Sequence, residues 1–120
     1  MLRLLLLSLF LLTGVSSCKY IDRQLHTQES IVPPAAYETW DYIKKYNKPR
    51  KGYVGGKRFG NYEQLLPKTA PNNVKLSYKE WDIHPKKKGQ NRGAERLVTS
   101  SDGKAYYTAD HYASFVKLEP

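Results

Sequence analysis

Glu80, Arg92, Arg96 and His111 are the residues of this chain whose types and spacing fit one piece of chemistry. They fall in two dense segments. One runs from Tyr78-Lys79-Glu80-Trp81 to Gln90-Asn91-Arg92-Gly93-Ala94-Glu95-Arg96, the other is Tyr106-Tyr107-Thr108-Ala109-Asp110-His111-Tyr112. A carboxylate can take a proton from an attacking hydroxyl, and an imidazolium can give one to a leaving oxygen. Two guanidiniums can hold the charge that builds on phosphorus between those events. Such a set cleaves a phosphodiester by proton transfer and electrostatics, with no metal or other cofactor required. Taken singly, each residue has an ordinary reading. Glu80 suits a surface pair with Lys79 or Lys104, the arginines suit a basic surface, and His111 suits a hydrogen-bonded structural role. His26 and His84 have no such company and are read as structural.

The elements that must position these residues are short. Pro33-Pro34 suits a helix start. Ala36, Tyr37, Trp40 and Ile43 then recur at spacings of three and four, with Glu38, Asp41, Lys44 and Lys45 between them. This predicts an amphipathic helix that ends before Asn47-Lys48-Pro49, with its aromatic stripe in the core. The glycine-rich stretch from Gly52 to Gly60 reads as loop. Val74 to Ile83 reads as extended chain ending at His84-Pro85, and Leu97-Val98-Thr99 as a short apolar strand. Ser101-Asp102-Gly103-Lys104 carries an Asp-Gly hairpin signal leading into Ala105-Tyr106-Tyr107-Thr108. Ala113 to Leu118 reads as a last strand. One helix followed by hairpin-linked strands predicts an α+β fold, with the N-terminal helix packed on a twisted antiparallel sheet of about four to five strands. Arg92 and Arg96 are four apart on the approach to a strand. A loop or bulge around Gly93 would let both point at one phosphate.

The length of 120 residues bounds the chain to one domain. Residues 1–17 read as a secretory signal: a basic Arg3, an apolar run, then small residues at Val15-Ser16-Ser17. Cys18, the one cysteine in the sequence, follows directly. Val15-Ser16-Ser17-Cys18 resembles a bacterial lipobox, in which the cysteine is lipidated and becomes the first mature residue. Ordinary cleavage after Ser17 suits the same residues. Residues 18–32 are polar and read as a tether, and 33–120 form the domain. A lone cysteine leaves no internal disulfide, so the domain relies on its core. The net charge is +9, and +8 once Arg3 leaves with the signal. An exported basic domain favours polyanionic partners, although charge alone also fits a lysine-rich soluble surface.

Read in order, the two segments and Arg58-Phe59-Gly60-Asn61-Tyr62-Glu63-Gln64-Leu65-Leu66-Pro67 resemble the microbial guanyl-specific ribonucleases, the barnase-like family that includes small extracellular Streptomyces enzymes. The resemblance runs from about Pro33 to Leu118 and is strongest from Tyr78 onward. It implies cleavage of single-stranded RNA after guanosine, through a 2′,3′-cyclic phosphate that water opens to a 3′-phosphate. It implies Glu80 as general base, His111 as general acid, and Arg92 and Arg96 as phosphate ligands. It places guanine on Glu63, whose carboxylate accepts from N1–H and the exocyclic amine, with backbone N–H groups near Gly60, Asn61 and Tyr62 for O6. Phe59 corresponds to the aromatic residue packed on the base. Tyr112 corresponds to a tyrosine that meets the phosphate or its neighbouring base. Tyr62 stands where relatives commonly carry arginine, and no lysine among Lys44, Lys45, Lys48 and Lys51 aligns with the active-site lysine of barnase. A monomer is expected, together with a small acidic protein inhibitor (barstar-like) as a second partner and a membrane contact through a lipid at Cys18. The competing readings are a non-catalytic basic lipoprotein that holds nucleic acid or other polyanions at the cell envelope, and a toxin module with the same chemistry.

Overall fold

The structure is a computed structural model that describes residues 31–120. The signal, Cys18, His26 and the tether as far as residue 30 lie outside the described residues.

The helix α1 spans Pro34–Tyr46. Pro33 stands at its N-cap, Pro34 supplies the fixed φ that a first turn tolerates, and Asn47 closes it in the left-handed conformation (φ 48°), its N–H donating to Ile43 O at 2.8 Å. Lys44 and Lys45 sit in the last turn, where they complement the helix dipole. Ala36, Trp40 and Ile43 are buried together with Thr39, whose hydroxyl folds back onto Ala35 O at 2.7 Å. Burying a side chain the size of Ile43 contributes about 1.5–3 kcal/mol.

Five strands follow: β1 (Gly55–Phe59), β2 (Tyr78–Trp81), β3 (Arg96–Ser100), β4 (Ala105–Thr108) and β5 (Val116–Lys117). They pair in sequence order, each antiparallel to the next. Side chains alternate between two cores. On the helix side, Trp81, Leu97, Ala105, Tyr107 and Leu118 pack with α1. On the other side, Tyr78, Val98 and Tyr106 form a second cluster with Leu66, against which Phe59, Tyr112 and Phe115 lean. Strand β3 is buried on both faces, so Leu97 enters the first core and Val98 the second. Glu80 and Val98 are direct partners across the β2–β3 pair. Glu80 therefore shares the face of the second cluster, away from the helix.

Three expectations about strands are corrected. The stretch 52–60 is not all loop, because Gly55–Phe59 is an edge strand. Its glycines serve the pairing instead of breaking it. Gly55 lies so close to Trp81 that an added Cβ would sit 2.9 Å from the indole Cε3, and Gly56 (φ +90°) occupies the register shift between Gly55↔Trp81 and Lys57↔Glu80. The strand expected from Val74 begins only at Tyr78, since Lys75 is diverted into an isolated bridge with Thr69. The last strand is confined to Val116–Lys117, because the residues before it are held in a side-chain-tied loop described below.

Candidate active site

The site is built on the face opposite α1, where β2 and β3 meet the loops before β3 and after β4. Glu80 projects from β2, and its Oε2 accepts the phenol of Tyr112 at 2.8 Å. That bond joins the middle of the sheet to the loop that carries His111. Burial and the Glu80 carboxylate hold the Tyr112 phenol above its ordinary range, so it remains a donor. His111 is exposed beside it, with ring centroids 4.8 Å apart.

The loop after β4 holds both residues in a rare backbone conformation. His111 has φ +53° and Tyr112 has φ +73°, and a non-glycine residue there gives up roughly 1–2 kcal/mol. Side chains overdetermine the turn. Asp110 Oδ1 accepts the Thr108 hydroxyl and the Ser114 N–H, each at 2.9 Å, and Oδ2 accepts the Ser114 hydroxyl at 2.6 Å. Thr108 Oγ1 in turn accepts the Tyr112 N–H at 3.0 Å. The His111 N–H donates to Ala94 O at 3.1 Å, which ties this loop to the one that delivers the arginines. These Ser114 and Thr108 contacts lower the Asp110 pKa. The stabilisation they carry is present above the ordinary aspartate value and is lost as pH falls through the lowered one. Asp110→Asn is therefore expected to reduce the urea midpoint at pH 7, with the gap to wild type closing below about pH 4. A gap of equal size at pH 7 and pH 3 would show that the charge of Asp110 does not hold the loop.

Both arginines converge on Asp82, a residue that type and spacing alone do not single out. Asp82 is buried, 4 % exposed. Arg92 grips it bidentately, Nε donating to Oδ2 at 2.8 Å and Nη2 to Oδ1 at 2.6 Å. Arg96 Nε lies 3.1 Å from Oδ1. Its N–H is not aimed at that oxygen, so the contact is ionic and not a hydrogen bond. Arg96 Nη1 instead donates to Gly93 O and Glu95 O at 3.0 and 2.7 Å. Gly93 takes φ +74° in open space, and this glycine turn carries the chain from Arg92 to Arg96. The Asp82 hydrogen bonds raise the Arg92 pKa further. One carboxylate thus holds two cations at the rim of the sheet. A signal for Asp82 was present: it stands two residues after Glu80 on an extended chain, between Trp81 and Ile83. An acid in such company needs a cation.

The loop after β1 supplies the other wall. Asn61 (φ +50°) clamps it, its amide donating to Leu66 O at 2.8 Å and its Oδ1 accepting the Leu66 N–H at 3.1 Å. A cavity of about 310 Å³ lies between this loop and the His111 loop, lined by Phe59, Asn61, Tyr62, Glu63, His111 and Tyr112 among others. The Phe59 ring stacks on Tyr112 at 4.9 Å. Glu63 is exposed at the cavity. Gly60 lines the neighbouring groove and not this cavity. Glu80, Arg92 and Arg96 are not part of the cavity wall, and Tyr112 connects Glu80 to it. Among the described residues, no three His, Cys, Asp or Glu side chains gather at metal-binding spacing. His84 pairs with Glu95 at 3.1 Å, and Glu95 accepts the Tyr107 phenol at 2.8 Å, outside the cavity wall. Burial, then Glu95, push that phenol up to about 12.

Comparison with known proteins identifies the family to which this fold belongs. The family model described as ribonuclease matches residues 15–119. The chain is 37 % identical over 87 residues to guanyl-specific ribonuclease St of Saccharopolyspora erythraea, covering 70 % of this chain and 77 % of that protein. It is 38 % identical over 65 residues to a ribonuclease of Heyndrickxia coagulans, covering 54 % of each. Among solved structures, ribonuclease Sa2 with guanosine-2′-cyclophosphate superposes with a TM-score of 0.55 at 31 % identity, over 75 % of this chain and 89 % of that one. A helix on a five-stranded antiparallel meander is the architecture that this likeness requires, and an RNA-cleaving enzyme is the activity that it carries. The chain belongs to the microbial guanyl-specific ribonuclease family.

Proposed function

We propose that this chain is an exported endoribonuclease that cleaves single-stranded RNA on the 3′ side of guanosine. The observation that supports this most is the cavity shared by Glu63 and His111, with Tyr112 reaching from it to Glu80. A base held by Glu63 leaves its 3′-phosphate toward Glu80, His111 and the paired arginines. Glu80 takes the proton of the ribose 2′-hydroxyl as that oxygen attacks phosphorus. Arg92 and Arg96 hold the equatorial charge, and His111 gives a proton to the departing 5′-oxygen. The 2′,3′-cyclic phosphate is then opened by water, with Glu80 and His111 exchanging roles, to leave a 3′-phosphate. The RNA supplies its own nucleophile, so the chemistry calls for no metal. DNA lacks that hydroxyl and would bind without reacting.

The test uses defined oligoribonucleotides with and without guanosine, in a chelator. Cleavage 3′ to guanosine alone is expected. Inert RNA, or a demand for divalent metal, would overturn the reading. Glu63→Gln keeps the shape but loses one acceptor and is expected to lower kcat/KM at guanosine by roughly 5- to 150-fold, as for the loss of a bidentate base contact. Guanosine preference undiminished in this variant would remove Glu63 from base recognition. Export is read from residues 1–17 and anchoring from Cys18. Mass spectrometry of the native N-terminus distinguishes a lipidated Cys18 from a bare one. A monomer is the expected state. A small acidic protein is the expected inhibitor, because carboxylates complement this basic cleft.

A further inference from the structure

A second groove, of about 640 Å³, adjoins the base cavity and shares Phe59, Asn61 and Tyr62 with it. Its walls add three cations, Arg58, Lys68 and Lys75, and the hydroxyl-bearing Ser77. No Asp or Glu lines it among the described residues. None of the three cations takes part in an ion pair among those residues, and all three are exposed. Three unneutralised cations around one groove make a positive potential that a polyanion relieves. At the junction of groove and cavity stands Tyr62, 91 % exposed. Its ring lies over Gly60, in the space a Cβ at that position would take. An exposed aromatic ring between a base cavity and a cationic groove is the combination that binds single-stranded nucleic acid: the ring stacks a base and the cations follow the backbone.

We infer that this groove is a subsite for the nucleotide on the 5′ side of the guanosine, with Tyr62 stacking its base and Arg58, Lys68 and Lys75 holding its phosphate. The direction follows from the register of the sheet. The proposed reacting phosphate, 3′ of the guanosine, belongs at Glu80, which pairs with Lys57, while the groove lies at Ser77 and Tyr78, the start of β2, where Phe59 pairs with Tyr78. A chain that reaches the groove without crossing the Glu80 position leaves the guanosine through its 5′-oxygen. The inference rests on the proposed function, since the guanosine cavity sets the origin from which the groove is measured. It also assigns a use to Tyr62, whose ring is otherwise left in solvent. A flat ring accepts any base, so this subsite adds affinity without adding a sequence preference.

The experiment compares GpU, UpGpU and GpUpU as substrates for the wild type and for the triple variant Arg58→Ala/Lys68→Ala/Lys75→Ala. In the wild type, the 5′ uridylyl extension is expected to raise kcat/KM roughly tenfold, the scale of one stacked base. In the triple variant that gain is reduced, because the phosphate is no longer held while Tyr62 still stacks the base, and GpU and the effect of the 3′ extension stay at wild-type levels. No gain from the 5′ extension in the wild type overturns the subsite. So does a triple variant that loses GpU cleavage as severely as UpGpU, because the cations then act on the fold or on the whole field. Loss of the GpUpU gain alone places the groove on the 3′ side and equally overturns it. Titration of uncleavable dUpdG and of deoxyguanosine, which differ only in the 5′ nucleotide, followed by protein fluorescence, separates this inference from the proposed reaction. If GpU proves inert, the proposed function fails. Tighter binding of dUpdG by the wild type, weakened in the triple variant, still marks the groove, and equal binding of the two ligands removes it.

Discussion

Replacing His111 with alanine is expected to lower kcat/KM on GpU by about 10²- to 10⁴-fold, the usual worth of a positioned general acid. Glu80→Gln is expected to cost a similar factor, and the two variants should differ in their pH profiles. The wild type should follow a bell, because Glu80 must be ionised to accept the 2′-hydroxyl proton and His111 must be protonated to release the 5′-oxygen. Residual activity of Glu80→Gln should lack the acid limb, and that of His111→Ala should lack the alkaline limb. Tyr112 does not confuse this assignment. Its phenol is held above the ordinary tyrosine range by burial and by Glu80, so it keeps its proton through the neutral region. Tyr112→Phe should retain both limbs while removing the hydrogen bond to Glu80. Full activity in His111→Ala, or a bell unchanged in both variants, would sink the assignment of the two proton carriers.

Much of what positions these groups is legible in the residues themselves, and the exceptions have physical causes. Helix α1 begins and ends where Pro34 and Asn47 indicate, because a terminal proline and a left-handed asparagine act locally. The hairpin at Asp102-Gly103 is local in the same sense, with Gly103 at φ +85° and Ser100 N donating to Lys104 O at 2.8 Å. The glycine run misleads because composition does not reveal what lies opposite. Gly55 has no side chain because Trp81, twenty-six residues later, occupies that space. The loop after β4 is harder still. Nothing in Asp-His-Tyr announces two consecutive left-handed residues. Their conformation is imposed by Thr108, Asp110 and Ser114 acting together, and only the folded chain shows that cooperation. At the site, residue type points to proton carriers and phosphate ligands. What holds Arg92 and Arg96 in place is a pairing with Asp82 across intervals of ten and fourteen residues, which spacing alone does not reveal.

That pairing makes Asp82 the position where substitution should do most damage to the fold and the site together. Asp82→Ala removes the carboxylate that Arg92 grips with two hydrogen bonds and that Arg96 approaches at 3.1 Å. Arg96 has a side chain only 5 % exposed, and without Asp82 it is a buried cation with two backbone carbonyls and no ion-pair partner among the described residues. Breaking a buried pair in this way costs about 3–5 kcal/mol. Arg92 is more exposed at 35 % of its side chain and can turn to water, so most of the loss belongs to Arg96. The urea midpoint should fall accordingly. Asp82→Asn is the sharper probe, because it preserves shape and one acceptor while removing the charge. If Asp82 positions the clamp, Asp82→Asn should lower kcat and weaken inhibition by inorganic phosphate together. Binding of guanosine without phosphate should stay near the wild-type value, since the proposed base contacts lie on the loop after β1. A structural role alone would weaken guanosine and phosphate binding alike, in proportion to the fraction unfolded. Wild-type stability and wild-type phosphate affinity in Asp82→Asn would mean that Arg92 and Arg96 find their places without this carboxylate. In that case the glycine turn at Gly93 and the carbonyls of Gly93 and Glu95 would suffice to aim them.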